Sequence, residues 1–122
     1  MHQRTALESF LPLKPNDFHI LFALLEGPLH GYAMARVIEE QTDGLVRLEA
    51  GNLHRTLRKL VRQGLVDTPA ERPPAEEDDE RRRYWVLTTL GRAVVAADAR
   101  RMRALVAEAE AKRVIPRRAE GA

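Results

Sequence analysis

The sequence predicts a mainly α-helical chain with one small β-hairpin, in the order helix, helix, helix, strand, strand, long helix. Three observations predict it. Apolar residues recur at helical spacing in three short segments and one long one. Two short segments rich in β-formers flank a charged, proline-bearing stretch, and glycine or proline punctuates most junctions. With 122 residues, 44% of them hydrophobic, the chain has material for one modest core.

Residues 1–15 are expected to form an N-terminal arm or short helix. The first main helix is DFHILFALLEG, capped by Asn16 or Asp17, with Phe18, Ile20, Leu21, Phe22, Leu24 and Leu25 covering nearly all its circumference. A helix apolar on all sides belongs at the centre of a core. Gly27-Pro28 ends it, and HGYAMARVIEEQTDG is a second helix that starts near His30, buries Ala33, Met34, Val37 and Ile38, and stops at Asp43-Gly44. In AGNLHRTLRKLVRQG, residues 50–64, the residues Leu53, Leu57, Leu60 and Val61 take the i, i+4, i+7, i+8 spacing of one buried face, and Gly64 supplies a C-cap. LVDTP and RRRYWVLT are two strands of a hairpin around the loop ERPPAEEDDE. The last helix spans 88–114, alanine-rich and stopped by Pro116, and 115–122 is expected to be a disordered tail.

The third helix carries the charge signal. Among its fifteen residues four are basic and none is acidic. Arg55, Lys59 and Arg62 lie at i, i+4, i+7 on the side opposite the leucines, with Asn52 at the leading end. A face of one sign suits a polyanion, because a face that serves only solubility normally carries acidic residues as well. The formal net charge is only +2, so the distribution says more than the sum. Arginine gathers in this helix, at Arg81, Arg82 and Arg83, and in the last third, whereas Glu76 to Glu80 is a purely acidic run. That run is read as a solvated, self-repelling loop, so contact with an anion is assigned to Arg81–Arg83 nearer the strand.

Other function classes find little support. The chain has no cysteine, and none of its histidines (His2, His19, His30, His54) has another at i+3 or i+4, so no metal site is expected. Ser9 is the only serine, no glycine-rich phosphate loop is present, and the acidic run has no partnering base; neither catalysis nor a cofactor is expected. The N-terminus lacks a signal-peptide core, and the longest apolar run, Ile20 to Leu25, is far short of the ~20 residues that cross a bilayer. A cytoplasmic protein without membrane contact is the expectation.

Three short helices followed by a hairpin make a winged helix-turn-helix, here 16–87, in which the third helix enters the major groove and the wing touches the flanking backbone or minor groove. Three motifs sharpen this: GPLHGYAMARVIEE, LEAGNLHRTLRKLVRQGLV and RRRYWVLTTLGR. Together they resemble the PadR family of transcriptional repressors, from about Phe18 to the end of the long helix. Gly27 to Tyr32 match the family's Gly-Pro-Leu-His-Gly-Tyr stretch. Ala50-Gly51-Asn52-Leu53-His54 stand at the opening of the recognition helix, with His54 where the family usually has tyrosine. Arg82 to Gly91 match the strand and the following Leu-Thr-x-x-Gly, with Trp85 in the second aromatic place.

The resemblance implies a sequence-specific DNA-binding regulator, a repressor, that dimerises through the long last helix and binds a pseudo-palindromic double-stranded operator. Asn52, Arg55 and Lys59 are assigned to base edges, and His54, Arg58 and Arg62 to phosphates. Tyr32 either reaches a phosphate or packs on the recognition helix. In the last helix Val95, Met102, Leu105 and Ala109 make a heptad-like stripe that Leu90, Val94 and Val106 widen, enough for the chain's own domain on one side and a partner on the other. Asp98 interrupts it, as an intersubunit pair with an arginine such as Arg101 or as a residue left at a wet edge. Some relatives respond to a small-molecule effector held between aromatic rings at the dimer interface. From Thr88 to Ala122 this chain has no aromatic residue, which argues against such a sandwich in the last helix. The rival class is a winged helix whose basic face meets a protein or an RNA.

Overall fold

The computed structural model describes residues 5–68 and 84–118. A 3-10 turn, Glu8–Phe10, precedes α1 (Pro15–Ala23), a second 3-10 turn (Leu24–Glu26), β1 (Leu29–His30), α2 (Gly31–Gln41), α3 (Ala50–Arg62), β2 (Val66–Asp67), β3 (Tyr84–Leu87) and α4 (Thr89–Ala111). The predicted order of helices and hairpin strands holds. The sheet has one strand more than expected: its order is β1-β3-β2, antiparallel throughout, with β3 in the middle. Leu29 faces Trp85 and His30 faces Tyr84 across one side, while Val66 faces Leu87 and Asp67 faces Val86 across the other. Two residues are too few to show an alternating pattern, which is why β1 escapes sequence reading.

The core is built from α1, α2, α3 and the first turns of α4. Ile20 and Leu21 of α1, Met34 and Ile38 of α2, Leu53, Leu57 and Leu60 of α3, and Val94 and Val95 of α4 join Leu24, Leu65, Val66 and Trp85 in one buried cluster. Each fully buried aliphatic side chain of this size contributes roughly 1.5–3 kcal/mol. The expected central place of the first helix is met, since α1 packs on α2, α3 and α4 alike. Its start differs from expectation. Pro15 occupies the first turn after Lys14, and neither Asn16 nor Asp17 caps it. The Asp17 carboxylate turns instead toward α3.

α2 begins as expected at His30, whose Nδ1 accepts a hydrogen bond of 3.2 Å from the Ala33 N–H. α3 ends at Gly64, φ +79°, where the Gly64 N–H donates to the Val61 carbonyl and the Leu65 N–H to that of Leu60. This double closure satisfies carbonyls that the helix end would orphan.

The Leu-Thr-x-x-Gly motif has a plain physical content. The Thr88 hydroxyl accepts from the Gly91 N–H at 2.9 Å and donates to the Gly64 carbonyl at 2.7 Å, while the Thr88 N–H donates to the Leu65 carbonyl at 3.1 Å. A Cβ on Gly91 would lie 2.1 Å from the Leu65 carbonyl oxygen. The start of α4 is thus knitted to the end of α3, and only glycine allows that approach.

This docking changes the reading of the last helix. Val95 and Asp98, expected on a dimer stripe, are 2% and 0% exposed in the single chain. Neither an intersubunit pair nor a wet edge describes Asp98: its Oδ1 accepts from Arg101 Nε of the same helix at 2.6 Å, and its Oδ2 has no partner among the described residues. The cause is that α4 is drawn against α1, β3 and the first 3-10 turn, so this side of its first half faces inward. Further along, Met102 and Ala109 are half-buried and Leu105 is 56% exposed. The helix closes at Arg113, φ +60°, before Pro116. Residues 76–80, Arg81–Arg83 and 119–122 lie outside the described residues.

Gly91→Ala should cost roughly 1–3 kcal/mol or more, because the new methyl group must displace backbone rather than a side-chain end. Gly51→Ala, whose Cβ would meet only an arginine tip at 3.5 Å, should be neutral or stabilising by up to about 1 kcal/mol. Urea unfolding of the two variants checks the contrast, and equal midpoints would contradict it.

Candidate nucleic-acid interface

The face of α3 turned away from the leucines is open. Gly51, Asn52, His54, Arg55, Arg58 and Arg62 are all exposed. Arg55, Arg58 and Arg62 have no ion-pair partner among the described residues, and no acidic residue occupies the helix's first turn. The expected stripe is broken at Lys59. Its ammonium donates to both oxygens of Asp17, at 2.9 and 2.7 Å, and Asp17 is only 7% exposed. At 100° per residue Lys59 sits between the outward arginines and the buried leucines, close enough to the α1 side to be captured.

The leading end of α3 is held by aromatic contacts. His54 meets Trp85 edge to face, with ring centroids 6.1 Å apart, and Trp85 is buried in the core. His30 meets Tyr84 edge to face at 5.7 Å and stacks on Tyr32 at 6.5 Å. The start of α2 also packs on the start of α3: a Cβ on Gly31 would touch Leu53 at 3.7 Å. Both helices therefore begin beside the central strand, with the positive ends of their dipoles close together. Tyr32 stands there 75% exposed, its ring on His30 and its remainder in solvent.

Of the residues singled out in the sequence, the structure brings Tyr32, Asn52, His54, Arg55, Arg58 and Arg62 to exposed positions on α3 and at the start of α2. It ties Lys59 to α1. Among the described residues there is no group of three or more His, Asp or Glu able to hold a metal ion, and no helix is long and apolar enough to cross a membrane. The contact that sequence reading misses is the one between Asp17 and Lys59. The two residues lie 42 positions apart, and an acidic residue at the head of an apolar helix looks like an N-terminal cap.

The sequence model described as "Transcriptional regulator PadR-like family" matches residues 20–97, from Ile20 within α1 to Ala97 within α4. The chain belongs to the PadR-like family of transcriptional regulators. Solved structures agree with that membership. RosR of H. salinarum is 25% identical, with a TM-score of 0.59 over 87% of this chain and 99% of that one. A PadR family regulator from Clostridium difficile is 17% identical, with a TM-score of 0.64 over 84% of this chain and 100% of that one. PadR of Bacillus subtilis, solved in complex with operator DNA, is 19% identical, with a TM-score of 0.58 over 70% of this chain and 47% of that one. No curated relative matches. For this PadR-like chain the family's motifs now have structural meaning: the Gly-Tyr stretch opens α2, the Gly-Asn-Leu-His stretch opens α3, and Thr88 and Gly91 dock α4.

Proposed function

We propose that this PadR-like chain is a homodimeric repressor that binds a pseudo-palindromic DNA operator with the outward face of α3. The observation that carries the reading is that face: three arginines without ion-pair partners among the described residues, together with Asn52, on a helix whose other side is sealed in the core. That B. subtilis PadR shares the fold and was solved with operator DNA supports it. Asn52 and Arg55, nearest the leading end, read base edges, Arg55 by a bidentate fork to guanine O6 and N7. His54, Arg58, Arg62 and the Tyr32 hydroxyl hold phosphates, and Arg81, Arg82 and Arg83 do so from the wing. Phosphate contacts set affinity and its salt dependence, whereas base contacts set the sequence.

The second copy joins through the outer half of α4. Leu105 and Val106 are exposed there beside Met102 and Ala109, and Phe22 of α1 is a further partly exposed apolar group. Val95 and Asp98 act indirectly, by fixing α4 to its own domain. A dimer raises operator affinity because the second half-site is then met at high effective concentration.

Arg55→Ala should weaken a selected operator by roughly 1–3 kcal/mol and random duplex much less, whereas Arg62→Ala should weaken both alike and lower the log–log salt slope by about one. Fluorescence anisotropy over a salt series checks this, and equal losses for Arg55→Ala on both duplexes would contradict base reading. Leu105→Asp should give a folded monomer in sedimentation with weaker operator binding; a variant that remains dimeric would contradict the α4 interface.

A further inference from the structure

α3 carries four cations, and one of them is already spoken for. Lys59 donates to both oxygens of Asp17, a carboxylate almost wholly buried at the head of α1, while only about a third of the lysine side chain meets solvent. Arg55 lies one turn before Lys59 and Arg62 one turn after it, both exposed. We propose that Asp17 is a positioning residue for DNA recognition: it takes the place of a phosphate on Lys59 and withdraws that lysine from the DNA face. The proposal rests on the reading of α3 as the DNA-binding helix.

Two physical arguments carry it. A DNA phosphate that captured Lys59 would leave Asp17 charged, buried and unpaired, and stripping one partner from such a pair is far more costly than never forming it. DNA therefore meets Lys59 already neutralised, and the lysine releases no counterion from the duplex. The pair also bridges two elements 42 residues apart, at a point on α3 between Arg55 and Arg62. The buried leucines on the far side of α3 set the direction of Arg55, and the pair keeps Lys59 from adding its charge beside it. A free lysine at the same position would strengthen binding to every sequence and dilute the preference that Arg55 confers.

The test compares salt slopes on a fluorescent mixed-sequence duplex, which needs no knowledge of the operator. Asp17→Asn keeps the shape and frees Lys59. Its slope should be steeper than wild type by about 0.9, so a tenfold fall in salt strengthens it about eightfold more than wild type. The paired replacement Asp17→Leu with Lys59→Met removes both charges and should keep the wild-type slope. A merely structural pair would move melting temperatures and leave the Asp17→Asn slope at the wild-type value, which would overturn the proposal. A paired variant that loses about one unit of slope would also overturn it, because Lys59 would then be gripping phosphate in the wild type. If the wild type binds no duplex, the DNA reading falls and takes the role of Asp17 with it; if it binds and the slopes disagree with these values, the role of Asp17 falls alone.

Discussion

The burial of Leu53, Leu57 and Leu60 against α1 and α2 is the constraint on which the rest of the molecule depends. A helix has one circumference, and once these three leucines enter the cluster with Ile20, Met34 and Ile38, the opposite side must face solvent. Asn52, Arg55, Arg58 and Arg62 are outward for that reason alone. The same packing sets Lys59 on the flank beside α1, where an aspartate rather than solvent receives it. The electrostatics of the exposed face is thus a consequence of apolar packing on the hidden one.

Hydrogen bonds fix the closing end of that helix, and a ring contact holds its leading end. At its close, Gly64 adopts a positive φ and returns the backbone to Leu65, whose carbonyl accepts from Thr88 and crowds Gly91. At its start, Trp85 and His54 meet across ring edges, and β3, which supplies Trp85, is anchored by β1 and β2 on either side. The wing strand and α2 therefore meet α3 itself, while α4 docks on Gly64 and Leu65 just after it. The cost is visible in α4, where Asp98 is buried with one oxygen unpartnered among the described residues, a group of the kind that costs roughly 1–3 kcal/mol. Arg101 neutralises its charge from one turn away.

What could be read from the sequence follows the range of the interactions concerned. Periodicities within one helix, the glycine stop at Gly64, the cap at His30 and the two hairpin strands are local, and each was legible. So was the family resemblance, because its motifs are short. The pairing of β1 with β3 was not, since it joins two-residue segments far apart in the chain. Nor was the Asp17–Lys59 pair, in which each residue has an ordinary local reading, as cap and as surface cation. Sequence periodicity puts Val95 and Asp98 on the outer stripe because a helical wheel gives relative angles but no absolute direction. Only the docking of Thr88 and Gly91 on Leu65 supplies that direction.

The central claim is that the outward side of α3, with the start of α2, meets DNA. Titrating a selected duplex into isotopically labelled protein and following backbone amide shifts tests it directly. The largest changes are expected at Gly51, Asn52, Arg55, Arg58, Arg62 and Tyr32, with Leu105 to Ile115 unmoved. Changes concentrated in the second half of α4, with α3 unmoved, would contradict it.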